Sequence, residues 1–544
     1  MKNQRKMVRI MQSALLVGLL LGFGTQATAW EKVQDNNYLE IDQNVASTTQ
    51  PGVLPDDWDR IRDGKSGAYA TTYDEDPAHG GIIHDGVGES IFTGGGSKDI
   101  QDLSEWAWKN GSVPDKDEIL HASAAAYDAN GELVVYLMAD RYATDGAAEM
   151  GVWFFQNRVS VEPDGTFSGV HRNGDFLMLA AFTQGGAQAE LDFYVWDDTV
   201  KFNLRKITGD VDFGYAISNG TETPSVTPDY TPKNGTVGVY PVNAFFEGGV
   251  NITQVYKGFL GAEHVPCFST FLIESRASHR TNATLKDFVF GSFDTCKLEV
   301  EKICLKSEME GSDYTTLKHT YEYNVTNSGL GDIDFVSFRD NGGTDDDPND
   351  DPTIDPTGVL RVGESITGTY TTTNKLNPPT NTIWATGHMG EFALAEVEDS
   401  ATCEKVLLDL NISVTKECSQ TLEAKEGTDQ DYYVAVRVDY AGQVCNTEDG
   451  TKLLNVMVTD DPSGESFGPF TLYAPDDSNN PDKDCQSYSG VYYPSSTVYA
   501  CAHNNSHSNT VTATGYGALN GEPVTDTATA TCKLCDSQGC HDDD

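Results

Sequence analysis

No cysteine occurs before Cys267, although the chain is 544 residues long and carries 11 of them. Positive charge is scarce as well: 36 Lys and Arg stand against 83 Asp and Glu, for a formal net charge of −47. That imbalance argues against nucleic acid and anionic membranes as partners, because their phosphates would be repelled. Beyond the N-terminus no run is apolar and long enough for a membrane helix, so no transmembrane segment is expected in the mature chain. Catalytic signatures are missing too. There is no Gly-x-Ser-x-Gly elbow, no His-Glu-x-x-His and no phosphate-binding glycine loop. Gly94-Gly95-Gly96-Ser97-Lys98 has neither the spacing nor the α/β context of one. A glycosidase needs two carboxylates across a cleft, but so acidic a chain always offers some pair, so the signal is empty.

The N-terminus is the informative exception. Lys2, Arg5, Lys6 and Arg9 precede an apolar stretch unbroken over 14–23, and Ala27-Thr28-Ala29 is a small-x-small cleavage site. Residues 1–29 therefore read as a secretory signal peptide, and the protein is expected to be secreted, extracellular or on the cell surface. Disulfides are the default there. Residues 30–55 are polar and rich in Gly, Asp and Pro, and read as a loosely ordered leader.

The stretch 94–196 organises the first half of the mature chain. Its apolar runs (133–139, 150–155, 176–182, 191–196) have strand length, and Asn130-Gly131, Asp145-Gly146, Asp164-Gly165 and Asn173-Gly174 separate them as turns. The first three runs are apolar on both faces, as in the middle of a packed sandwich. Residues 56–296 are expected to form one jelly-roll or lectin-like β-sandwich, stapled by Cys267–Cys296.

A repeat occupies the second half. Val300-Glu301-Lys302-Ile303-Cys304 and Val414-Thr415-Lys416-Glu417-Cys418 share the pattern Val-x-Lys-x-Cys, and Ala401-Thr402-Cys403 matches Ala530-Thr531-Cys532. Period-two alternation at 320–326 and 432–438 marks half-buried strands. The reading is all-β: two Ig-like sandwiches over 297–404 and 405–535, each tying first strand to last through Cys304–Cys403 and Cys418–Cys532. Two of Cys445, Cys485 and Cys501 should pair inside the second unit. In the tail, Cys535–Cys540 closes a small loop in preference to a metal or redox pair, and 536–544 is an acidic tail.

The opening block (GGGSKD, GSVPDKDEI, ADRY, GVWFFQ and Gly169-Val170-His171-Arg172-Asn173-Gly174-Asp175) resembles the N-terminal module of a group of large secreted bacterial surface proteins. The units after Cys296 resemble the prealbumin-like, Ig-like repeats that often follow it, through Arg339-Asp340-Asn341-Gly342-Gly343-Thr344 and Leu360-Arg361-Val362-Gly363-Glu364-Ser365. The resemblance implies surface placement and an all-β build, and little about activity.

Two carboxylate sets are candidate Ca2+ sites, since packed carboxylates suit a hard cation that takes six to eight oxygens. One is Asp345, Asp346, Asp347, Asp350, Asp351 and Asp355, for which a stiff solvated loop competes. The other is Asp99, Asp102, Asp115, Asp117 and Glu118, with Asp140 and Arg141 following a central strand. This second set also reads as a glycan cleft, with Trp106, Trp108 or Trp153 stacking on sugars, or as plain turn charges beside core tryptophans. His84, His121 and His171 are isolated along the chain and read as structural. The expected function is non-catalytic: a structural or adhesive surface or matrix protein, with surface glycans or other surface proteins as partners. A Ca2+-dependent, lectin-like glycan-binding protein is the alternative, and a polysaccharide-active enzyme a more distant one.

Overall fold

The computed structural model describes residues 32–35, 37–74, 79–96, 98–182, 188–208, 213–311, 314–342, 353–354, 358–374, 380–390, 392–428, 432–461, 463–494 and 506–533. The expected signal segment 1–29, the candidate ligands Asp345, Asp346, Asp347, Asp350, Asp351 and Asp355, and Cys501, Cys535 and Cys540 lie outside them. The described chain is all-β, in antiparallel sheets. Among the described residues no helix is long and apolar enough to cross a membrane.

Two sheets face each other in the head. The first runs Ala70–Thr71, Ile119–Asp128, Leu133–Arg141, Phe245–Asn251, Gly214–Ser218, and Ile83–His84 also pairs with Ile119–Asp128. The second has eight strands, with Phe176–Phe182, Ala148–Phe155, Thr270–Arg276 and Leu285–Ser292 at its centre. Side chains alternate between faces along a strand, so Ala122, Ala124, Val135 and Leu137 meet Val152, Phe154, Met178 and Phe271 between the sheets. The opposite face of the second sheet is not left to water. Trp153, Phe155, Leu177 and Leu179 pack there against Phe92, Leu103, Trp106 and Phe167. The outer face of the first sheet is covered too, by Val33, Leu39, Trp58 and Ile61 and by Val226, Tyr230 and Tyr240. This is why the central runs are apolar on both faces: each sheet is covered twice.

That outer cover corrects the reading of 30–55 as a loose leader. Val33, Leu39, Ile41 and Val45 are buried, and Leu39 bridges to Asp56. A short helix, Trp58–Arg62, comes after it, with Asp57 accepting the Trp58 N–H as its N-cap. The apolar residues of this segment are too scattered to show a period, yet each drops onto the sheet.

Each repeated unit is a thinner two-sheet sandwich. In the first, Leu298–Met309, Leu317–Asn327 and Ser365–Asn374 face a sheet containing Phe335–Asp340, Thr380–Met389 and Val397–Thr402. In the second, Ile412–Val414, Glu417–Glu426, Tyr432–Asn446 and Cys485–Tyr492 face Leu453–Asp460, Ser466–Leu472, Ser506–Gly517 and Pro523–Lys533. Each has one core, around Val325, Val336 and Ile383 or around Val438, Val456 and Val511. Among the described residues four disulfides close: Cys267–Cys296, Cys304–Cys403, Cys418–Cys532 and Cys445–Cys485. The first sits in the core of the first unit, beside Leu298 and Ile333, so it seals the junction rather than stapling the head's own layers. Arg172 paired with Asp334, and His264 Nδ1 at 2.8 Å from Asp332 Oδ2, hold the same junction.

Candidate metal centre

The carboxylates expected to act together are divided among separate structural duties. Asp99 is fully buried, with Arg276 Nη2 2.6 Å from its Oδ2 and Trp153 Nε1 donating to its Oδ1 at 3.3 Å. The same guanidinium reaches Glu274 Oε1 at 2.7 Å. Glu274 pairs across the sheet with Gly151, where any side chain would collide with that carboxylate. Asp102 caps a 3₁₀ turn by accepting the Ser104 N–H at 3.0 Å. Asp115 pairs with Lys233, and Asp117 Oδ1 lies 3.5 Å from Lys116 Nζ. Glu118 accepts the Gly88 N–H. Burial, then repulsion from Glu89 and Glu118, pushes Asp85 up to about 8. Burial, then repulsion from Asp85, pushes Asp287 up to about 9. The described residues hold two groups whose ligand atoms lie within 4.8 Å of one another, and none of these five carboxylates belongs to either.

The glycan-cleft reading also loses two of its tryptophans. Trp106 and Trp153 are buried in the outer apolar layer. Trp108 is half-buried and donates Nε1–H to Glu162 O. His171 is buried, stacked on Trp196 with ring centroids 3.8 Å apart, and its Nδ1 lies 3.1 Å from Asp175 Oδ2.

His84 and His121 are not isolated. Strand register brings them together: His84 pairs across with His121, and His121 with Asp140. Cross-strand partners on one face sit about 4.5–5.5 Å apart, so three strands place two imidazoles and a carboxylate in one row. The connection between Thr223–Pro224 and Val239–Tyr240 folds over this row and brings Thr227, Asp229 and Tyr240 onto it. His79, from the loop before Ile83–His84, completes the group. The His79 and His84 rings stack with centroids 5.1 Å apart, and the His84 and His121 centroids are 4.9 Å apart.

The polar geometry is specific. Asp140 is buried and accepts the His121 N–H at 3.0 Å, His121 Nδ1–H at 2.8 Å and Tyr240 O–H at 2.9 Å. With Nδ1 protonated by that contact, Nε2 of His121 carries the lone pair, facing Thr227 Oγ1 at 3.0 Å. Three Nε2 atoms surround one carboxylate: His79 and His84 lie 3.4 and 3.8 Å from Asp229 Oδ2, and His121 lies 3.9 Å from Asp229 Oδ1. His79 Nδ1 turns outward to Asp74 Oδ2 at 3.6 Å. His84 and Asp229 form the solvent rim, 41% and 47% exposed, above the buried His121. Burial lowers the His121 imidazole, and the charge and hydrogen bond of Asp140 outweigh it, so the ring ends above its ordinary value. Burial, then the neighbouring His121, holds His84 below its own. No local spacing announces this group. Strand register brings His84, His121 and Asp140 together, and two loops add His79 and Asp229.

A second group is all carboxylate: Glu40, Asp42 and Asp57. Beside it Glu247 accepts Trp58 Nε1–H at 3.1 Å, and burial pushes Glu247 up to about 8. The chain matches no protein-family model and no curated protein.

Proposed function

We propose that this chain is an exported, non-catalytic protein of the cell surface or extracellular matrix, with a structural or adhesive role. The described structure supports the coarser part: an all-β, disulfide-rich chain of the kind that oxidising compartments hold. A disulfide ties the first strand of the first unit to its last, and another ties the second strand of the second unit to its last, which suits a spacer exposed to mechanical and proteolytic stress. The prealbumin-like resemblance and the signal sequence belong to the same reading.

One observation carries the adhesive half. In the second unit, Leu422, Tyr432, Tyr433 and Val434 are each more than half exposed. They lie at one end of the hairpin formed by Glu417–Glu426 and Tyr432–Asn446, where Ala424 faces Val434 and Lys425 faces Tyr433. Clustered apolar side chains of this size on a surface mark contact sites more often than scattered single ones do. Other surface proteins or surface glycans are the proposed partners. The test is adhesion of cells or beads carrying the full exported chain, compared with Tyr432→Ser combined with Val434→Ser. Loss of adhesion with an unchanged melting profile supports the reading; equal adhesion by both proteins, or turnover of a polymeric glycan by the pure protein, overturns it.

A further inference from the structure

We propose that His79, His84, His121 and Asp229 bind one divalent transition-metal ion of the zinc type, and that the ion clips the 225–238 connection to the head sheet. The distances argue for it. Nε2 of the three imidazoles stands 3.4, 3.8 and 3.9 Å from Asp229 oxygens. Only the shortest of these approaches hydrogen-bonding distance, and the 3.8 and 3.9 Å separations exceed it. Hydrogen bonding therefore does not gather three rings around this carboxylate. The separations do suit ligands that share an ion. With zinc bonds of about 2.0–2.1 Å, neighbouring donors of a tetrahedron sit roughly 3.3 Å apart. The ligand atoms of His84, His121 and Asp229 already lie within 4.8 Å of one another, and His79, whose ring centroid is 6.5 Å from that of His121, would have to swing in to complete the set.

The surroundings are built for ligation. Metal-binding imidazoles characteristically direct their second nitrogen to a carboxylate, which fixes the tautomer and raises the basicity of the ligating nitrogen. His121 does this with Asp140 at 2.8 Å, while Asp74 Oδ2 stands 3.6 Å from His79 Nδ1, beyond hydrogen-bond distance. Asp140 is itself held by Tyr240, so the innermost ring cannot turn. The donor chemistry selects the ion. Three imidazole nitrogens suit zinc, copper, nickel or iron, and a tetrahedral N3O set suits zinc best, whereas Ca2+ prefers oxygen. All four positions are filled by protein, which is the arrangement of a structural site and not of a catalytic one with an open position. The ligands come from the loop at His79, two paired strands and the 225–238 connection. An ion there would tie together pieces far apart in sequence.

The experiment uses the full exported chain, stripped with chelator and desalted, then titrated with Co2+ and Zn2+. The expected result is one Co2+ per chain with the intense visible absorption of tetrahedral coordination, displaced by Zn2+ and not by Ca2+. His84→Ala and Asp229→Asn, both at the exposed rim, should abolish that spectrum while circular dichroism keeps its β form. Asp140→Asn should keep the stoichiometry and weaken binding roughly ten- to hundred-fold. Zn2+ should also slow proteolysis of the 225–238 connection in the parent chain and not in Asp229→Asn. An octahedral Co2+ spectrum, binding unchanged in both rim variants, or no binding by the folded parent would each overturn the proposal. The adhesive reading rests on other residues, so either can fail without the other.

Discussion

The head and the two units behind it face the same problem, keeping paired sheets together, and meet it differently. The head stacks three apolar layers on two sheets. It needs no disulfide within those layers, and its one bridge, Cys267–Cys296, packs into the neighbouring core. The repeated units have one core each, and their strands alternate buried with half-buried, as along Leu317–Asn327. Less apolar area leaves water, so less stabilisation is available per residue. Cysteines therefore begin where the layers thin out.

The units share a second device. The lysine of each Val-x-Lys-x-Cys pattern is buried: Lys302 pairs with Asp340 and Lys416 with Asp460, all with side chains at most 1% exposed. Each ammonium lies near a tyrosine ring, 5.8 Å from the centroid of Tyr321 and 4.4 Å from that of Tyr440. An asparagine completes each cage: Asn381 donates to Asp340, and Lys416 donates to Asn509. The head's nearest counterpart is the buried Arg276 between Asp99 and Glu274.

The sharpest way to break the comparison is to remove a clamp. Cys304 and Cys403 are 99 residues apart, and replacing both by serine should cost about 4.7 kcal/mol in the chain-entropy model. Differential scanning calorimetry should then show the first unit melting far below its parent temperature while the head transition stays in place. Coincident loss of both transitions would mean that head and units fold as one body. Next in size is Lys302→Met, which leaves Asp340 buried and unpaired and should cost about 3–5 kcal/mol. Adding Asp340→Asn removes the stranded charge, retains an acceptor for Gly342 N–H, and should recover most of that loss. If the double variant is no more stable than the single one, the pair is not the source of the cost.

How far the sequence can be read divides along the same line. Strand runs and turn pairs are legible in the head because full burial leaves an unbroken apolar signal. The clamps are legible in the units because Val-x-Lys-x-Cys repeats in register. What the lysine does is not, since its aspartate comes 38 residues later in one unit and 44 in the other. The leader reads wrongly as loose because Val33, Leu39, Ile41 and Val45 follow no period and depend on a sheet assembled elsewhere. The histidine group is hidden for a related reason: 37 residues separate His84 from His121, which meet only through strand register, and 108 separate His121 from Asp229, which a loop folds back onto them. Asp99 and Glu118 look like ligands because a string of acids cannot show that one holds a buried arginine and the other a backbone N–H.

The leader offers a smaller, pH-dependent test. Glu247 is raised by burial from 4.5 to about 8, and Asp57, raised by burial and then by Glu247, shifts in the same direction. A carboxyl whose folded value is raised favours the protonated, folded form. Its contribution is complete below 4.5 and is lost as pH rises through about 8. Hydrogen exchange, corrected for intrinsic rates, should show residues 37–62 losing protection over that window while the repeated units do not change. Glu247→Gln should flatten the response. An equal response in all three regions would assign it to net charge.

The smallest effect separates capping from cation binding in the head. Asp102 accepts the Ser104 N–H at the start of a three-residue turn, and that turn seats Leu103 and Trp106 in the outer apolar layer. Asp102→Ala removes one cap, worth about 0.5–2 kcal/mol, so a small fall in the head's melting temperature is expected. Asp102→Asn and Asp102→Ser, which still accept that hydrogen bond, should restore it although the charge is gone. A cation ligand would behave in the opposite way, with every uncharged replacement failing alike and added Ca2+ stabilising only the parent. Because the head distributes its stability over three layers, the loss of one cap should leave its cooperativity intact.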